Sequence, residues 1–171
     1  MVSFQGEYYT VVNHRVYPVP GVRVPLLVGG NGRGILRLAA RQADIVGFTG
    51  LGQTLPDGQR HATTGFAAEK VDERVALVRA AAGERVDGLE LNVLLQVVRI
   101  STDREATARD LAQRMPGLTP AEILDSPYLL FGTAAEMADQ LRQRRERWGF
   151  SYFSTFWTNA KALAEVMPLL R

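Results

Sequence analysis

The sequence predicts an α/β fold in which parallel strands alternate with helices, preceded by a separate β-hairpin. Two observations carry this expectation. From Val24 onward, short apolar β-prone runs alternate with stretches of helical periodicity, the pattern of βα units on a parallel sheet. Helix starts and stops are marked by S/T-x-x-E boxes, a proline and single glycines at the expected offsets.

In the first 20 residues, Phe4, Tyr8, Tyr9, Val11 and Val12 lie around Gly6 and Asn13, as in a hairpin outside the main sheet. Val24 to Val28 reads as a strand buried on both faces. Arg33 to Ala43 is helical, with Ile35, Leu36, Ala39, Ala40 and Ala43 on one face. Asp44 to Phe48 is a second strand, followed by a Gly/Thr/Pro-rich loop from Thr49 to Gly65. A helix from Phe66 to Ala82 turns Val71, Val75 and Val78 inward and stops at Gly83. Leu89 to Ile100 forms the longest β-like run, and Thr102 with Glu105 is read as a capping box opening a helix to Met115. Thr119, Pro120 and Glu122 open a short helix. Thr133 and Glu136 open another, through Trp148 to Gly149. Phe150 to Phe156 is the fourth strand, and Asn159 is placed to cap a last helix. The organisation expected is one domain over 1–171, with a hairpin extension at 1–20 and βα units over 24–171.

Composition narrows the function classes. The 171 residues are 46% hydrophobic and 22% charged, with no cysteine, which excludes disulfide frameworks, thiolate zinc sites and cysteine nucleophiles. Twenty basic residues, 18 of them Arg, face 18 acidic ones, a balance unsuited to a nucleic-acid binder. The Arg142, Arg144, Arg145, Arg147 cluster reads as a solvated helix face. No apolar stretch approaches the about 18 residues of a membrane span, and no leader pattern follows Met1, so a cytoplasmic protein with no membrane partner is expected.

The strongest local signal is strand, then Gly29-Gly30-Asn31-Gly32-Arg33-Gly34, then helix. Glycines admit close backbone approach and positive φ, and a helix N-terminus favours an anion such as phosphate. A P-loop fails because Ile35 stands where Lys is needed, and the GxGxG spacing with no acid near position 50 does not suit a dinucleotide fingerprint. The phosphate pocket of a flavin-type (β/α)₈ barrel and a ligand-free βα turn both remain open on spacing alone. Elsewhere, His61 in the long loop is a candidate proton donor. Gln96 is either pocket-lining or a buried, backbone-satisfied amide. Arg99 is either a ligand-tail contact or the ion-pair partner of Asp103 or Glu105. Asp44 is expected to fix its preceding turn, and Phe153, Phe156 and Trp157 to serve core and rim packing. The two histidines, without paired carboxylates, do not suggest a metal site.

The run VPLLVGGNGRGILRLAARQADIVGFTG, with FQGEYYTV upstream and VDERVALVRAAAGERVDGLELNVLLQVV and YLLFGTAAEMADQLRQRRERWGFSYF downstream, resembles the luciferase-like monooxygenase superfamily, nearest its F420-dependent oxidoreductases. That resemblance implies the C-terminal half of a TIM-type (β/α)₈ barrel, since a whole barrel takes about 250 residues. It further implies a cofactor, coenzyme F420 or alternatively FMN, whose phosphate end meets Gly29, Gly30, Asn31, Gly32 and, more weakly, Arg33. The activity implied is hydride transfer to or from a small organic substrate. Catalytic residues and most ring contacts would belong to the other half, so a homodimer mate or a complementing N-terminal half-barrel is an expected partner. A non-catalytic half-barrel is the competing reading.

Overall fold

A computed structural model describes residues 1–15, 17–52, 55–56 and 61–170. Residues 53, 54 and 57–60 of the long loop lie outside the described residues. The hairpin forms as expected: β1 (Val2–Gln5) runs antiparallel to β2 (Thr10–His14) with Phe4 opposite Val11, as a two-stranded sheet of its own. The main sheet is parallel and four-stranded, ordered β3 (Leu27–Gly29), β4 (Ile45–Phe48), β5 (Glu90–Leu95) and β8 (Phe150–Thr155).

Helices cover one face of it. Val46, Phe48, Leu91, Val93 and Phe150 project from the strands into a core shared with Leu36, Ala39 and Ala40 of α1 (Arg33–Gln42) and Val71, Val75 and Val78 of α2 (Ala68–Ala82). Period-2 alternation puts Leu27, Gly29, Gly47 and Asn92 on the opposite face, and a register shift at Ser151, where Phe150 pairs with Leu91 but Tyr152 with Asn92, turns Tyr152 to that face as well. There Leu27 is 45% and Tyr152 42% exposed.

Several elements differ from the sequence expectation, each for a tertiary reason. The first strand begins at Leu27 rather than Val24, because Leu26 is used as a junction. Its carbonyl accepts Asp44 N–H and Ile45 N–H, while its own N–H goes to the Asp44 carboxylate at 2.8 Å. Asp44 therefore ties the preceding segment as expected, with Arg23 at 2.6 Å adding an exposed ion pair. A 3-10 turn over 64–66 precedes α2, which starts at Ala68 instead of Phe66.

The long run Leu89 to Ile100 is two strands. Gln96 N–H and Val97 N–H both reach Tyr128 O, so the chain leaves the main sheet, and β6 (Val97–Ile100) pairs in parallel with β7 (Leu129–Gly132). β7 is a strand the sequence pattern does not predict. It is buried at every position, and Leu129 and Phe131 belong to the main core.

Helix α3 (Arg104–Arg114) is capped by Asp103, whose side chain accepts Ala106 N–H at 2.8 Å, and not by Thr102. The boxes at α4 (Pro120–Asp125) and α5 (Ala134–Trp148) form as read, each with its Glu reaching back to the N-cap N–H at 2.8 Å. Those hydrogen bonds from Thr119 and Thr133 hold the Glu122 and Glu136 carboxyls below their ordinary range. Gly149, at φ 82°, ends α5 in the left-handed conformation glycine tolerates. Asn159 precedes α6 (Ala160–Val166) but makes no capping bond, its amide being engaged elsewhere.

The arginine-rich face of α5 is not uniformly solvated. Arg144 is only 4% exposed and donates to the carbonyls of Ser126 and Leu129. Arg147 pairs with Asp72 and Asp125, stacks 4.5 Å from the Trp148 ring, and shares Asp72 with the Trp148 indole N–H. This cluster clamps α2 to α5. Arg99 pairs with Asp110, 2.9 Å away, rather than with Asp103 or Glu105. Phe153 packs, as expected, against the main core and against a second cluster that includes Leu95, Leu130, Met137 and Leu141, whereas Phe156 is 48% and Trp157 90% exposed.

Candidate functional site: the glycine turn and the rim of the parallel sheet

One row of residues crosses the open face of the sheet. Gly29 lies opposite Gly47, Gly47 opposite Asn92, and Asn92 opposite Tyr152. The glycine pair is needed there: a Cβ on Gly29 would stand 3.2 Å from Gly47 O, and one on Gly47 3.2 Å from Gly29 Cα. Asn92, 4% exposed, donates to Tyr152 O at 3.1 Å and to Ser154 Oγ at 3.2 Å. Up to Tyr152 the row is thus small, and its one amide is satisfied within the sheet.

Beyond it, β3 ends in the glycine turn. Gly30 N–H continues the ladder to Gly47 O at 2.9 Å, and Gly32 is the N-cap of α1, its carbonyl accepting Leu36 N–H. Having no side chain, Gly32 offers the first-turn N–H groups no acceptor, and no acidic residue stands in that turn. Those orphan donors and the positive end of the helix dipole are left for another acceptor. Arg33 is exposed and, among the described residues, makes no ion pair or hydrogen bond. The combination fits an anion: donors without acceptors, a cation without a partner, and no carboxylate to repel one.

One expectation about the turn needs correction. None of Gly29, Gly30, Gly32 or Gly34 has positive φ. Gly30 instead answers a steric demand, since a Cβ would fall 2.7 Å from Ile35 Cγ2. The positive-φ glycine of the site is Gly50, at φ 74° in the loop after β4. Asn31, grouped by sequence with the cofactor contacts, has its side-chain amide engaged within the protein. Its Nδ2 donates to Thr49 Oγ1 at 3.0 Å and to Leu51 O, and its Oδ1 accepts Gly50 N–H at 3.2 Å. It joins the β3 loop to the β4 loop.

The tie extends along the rim. Gln96 Nε2 donates to Thr49 O at 2.7 Å, and Asn159 Nδ2 donates to Gln96 O at 3.3 Å and Thr155 Oγ1 at 3.0 Å. Three side-chain amides therefore link the loops that follow β3, β4, β5 and β8. Gln96 is the backbone-satisfied amide of the two readings offered for it. A single sequence shows an Asn in a glycine turn, but not that its amide faces the neighbouring loop. His61 is exposed, on a strand-like bridge. Among the described residues, no three His, Asp or Glu side chains converge as a metal group would require, and no helix is long and apolar enough to cross a membrane.

An open parallel sheet with helices on one face and a glycine turn at a strand's C-terminal end defines a section of a (β/α) barrel. Residues 1–152 match the luciferase-like monooxygenase family, and the chain belongs to that family. It is 32% identical over 110 residues to an F420-dependent glucose-6-phosphate dehydrogenase of Nakamurella multipartita, covering 64% of this chain and 29% of that one. In fold it is similar to an F420-dependent secondary alcohol dehydrogenase solved with an F420-acetone adduct, at TM-score 0.62 and 16% identity, over 99% of this chain and 56% of that structure. A riboflavin lyase solved with modified FMN and riboflavin gives TM-score 0.61 at 16% identity, over 99% and 48%. The chain spans about half the length of these solved structures, and its match covers less than a third of the glucose-6-phosphate dehydrogenase.

Proposed function

We propose that this chain supplies the phosphate-holding side of an F420-dependent oxidoreductase site, with FMN as the alternative cofactor, acting on a small organic substrate. The observation that carries the reading is the uncapped N-terminus of α1, presented by the Gly29–Gly30 turn beside an unpaired Arg33 in a chain of this family. The cofactor, when bound, supplies hydride transfer. Gly29 and Gly30 let the backbone come close, the N–H groups after Gly32 donate to phosphate oxygens, and Arg33 adds charge. Asn31 acts as a positioning residue, holding the turn against the β4 loop.

The rest of the site is a proposal about assembly. Leu27 and Tyr152 on the open face, with Leu26 and Val24 before β3, leave apolar surface uncovered at both edges of the sheet. A complementing N-terminal half-barrel or a second copy of this chain would cover it and bring the groups nearest the cofactor ring. A half-barrel that binds without turnover is the second reading. It is favoured by the way Asn92 and Gln96 spend their amides on the protein itself.

The test is titration of the purified chain with F420 and with FMN. A helix N-terminus contributes up to about 2 kcal/mol to an anion, and each charged hydrogen bond about 1.5–3 kcal/mol. Association costs about 4 kcal/mol or more, so affinity near millimolar is expected without the other half. Amide resonances of residues 29–33 should move on binding. Binding that leaves them unmoved refutes the site, and micromolar binding with turnover by the isolated chain refutes its incompleteness.

A further inference from the structure

A second cleft, lined by none of the residues of the glycine turn, lies among the helices. Its volume is about 430 Å³, and its walls include Arg104 of α3, Leu124 and Asp125 of α4, and Arg144, Arg147 and Trp148 of α5. Two of its arginines are incompletely satisfied. Arg144, 4% exposed, spends Nη2 on the carbonyls of Leu129 at 2.6 Å and Ser126 at 3.2 Å and on Gln140 Oε1 at 3.4 Å, while its Nη1 is buried without any partner. Arg104 lies over Phe131, its guanidinium carbon 5.9 Å from the ring centroid, and its Nε is likewise buried and unpartnered. Among the described residues neither guanidinium has a carboxylate within ion-pair distance.

The acids nearby are largely committed. Asp125 pairs with Arg147 at 3.0 Å, and Glu136 closes the capping box of α5. Of the acids lining the cleft, Glu146 alone is left against Arg104 and Arg144. A buried guanidinium with an unmade hydrogen bond and no carboxylate in direct contact is costly. Burial first, and the Arg104 charge second, lower the Arg144 pKa to about 9 against the opposing pull of the Asp125 carboxylate, so it is still a cation at neutral pH.

We propose that this cleft binds a small organic oxyanion, a carboxylate or phosphate carried on an apolar or aromatic body. Arg104 and Arg144 hold the oxyanion, turning their unpartnered N–H groups toward it, and the body lies against Leu124 and the edge of Trp148. The site is independent of the cofactor reading, because it shares no residue with the glycine turn.

Trp148 is the reporter. The chain has two tryptophans, and the other, Trp157, is 90% exposed, so Trp157→Phe leaves Trp148 as the single emitter. Benzoate, phenyl phosphate, inorganic phosphate and neutral benzyl alcohol are titrated at constant ionic strength. Saturable changes with benzoate or phenyl phosphate, none with benzyl alcohol, and about tenfold weaker binding in Arg104→Gln are expected. The ratio of benzoate to phenyl phosphate affinity identifies the preferred headgroup, and competition by inorganic phosphate establishes that the headgroup is what is bound. Arg144→Met removes bonds to two backbone carbonyls and can unfold the chain, so Arg104→Gln and the partly rescuing Arg104→Lys are the deciding variants. No saturable response to any of the three anions, or binding equal in Arg104→Gln, overturns the proposal.

Discussion

Gly50→Ala should be among the most damaging single-methyl changes in the chain. Gly50 sits at φ 74°, where an L residue costs about 1–2 kcal/mol. Its Cβ would stand 2.8 Å from Phe66 Cε1 and 2.8 Å from Tyr128 Cγ. Neither ring can retreat: Phe66 is 2% and Tyr128 0% exposed, and the two lie 5.1 Å apart, centroid to centroid. Overpacking of this kind costs about 1–3 kcal/mol. Together the two effects amount to about 2–5 kcal/mol, a fall in melting temperature of about 4–20 °C for a chain of this size. Gly34→Ala is the internal control, since a Cβ there meets nothing within 4 Å. Within α1 it should stabilise by about 0.5–1 kcal/mol. Thermal melts by circular dichroism and urea midpoints read both. Gly50→Ala melting with the wild type, or Gly34→Ala losing as much as Gly50→Ala, would refute the assignment of conformational demand to the β4 loop.

Asn31→Ala removes three hydrogen bonds between the β3 and β4 loops and should cost about 1–3 kcal/mol in urea unfolding, with the resonances of Thr49 to Leu51 broadened. Phe131→Ala, at a fully buried β7 position, should cost about 3–5 kcal/mol; a surface-like loss below about 1 kcal/mol would remove β7 from the core. Stability should also fall in acid. Hydrogen bonds from Arg147 to Asp72, from Arg99 to Asp110, and from Leu26 N–H to Asp44 hold these carboxyls below their ordinary value. Their contribution is complete above the unfolded carboxyl pKa of about 3.9 and is lost as pH drops through the lower folded values. Melting temperature should therefore decline below about pH 4, less steeply in Asp72→Asn. A profile flat in acid would contradict these pairs.

Much of the fold is local and therefore legible in sequence. The Thr119 and Thr133 boxes, the Gly149 stop, the hairpin, the glycine turn before α1 and the four strands of the main sheet follow from spacing and periodicity within about one helical turn or one strand. What the tertiary structure decided is everything in which two distant segments compete for the same group. Leu89 to Ile100 is one unbroken β-prone run, and only Tyr128 O, taking the N–H groups of both Gln96 and Val97, divides it between two sheets. Thr102 and Asp103 are both competent caps, and the start of α3 selects the second. Arg144 belongs to a charged helix by pattern, yet the carbonyls left open at Ser126 and Leu129 draw it inside. The sequence by itself marked Gly29 to Arg33 as a glycine turn opening a helix, the segment proposed above to hold the cofactor phosphate. It could not reveal that Asn31 serves the loop, or that the strained glycine is Gly50, because those roles are set by Thr49, Leu51, Phe66 and Tyr128. Short-range patterns report backbone preference; the burial of a charge, the partner of an amide and the space around a glycine are sums over contacts that exist only once the chain has closed on itself.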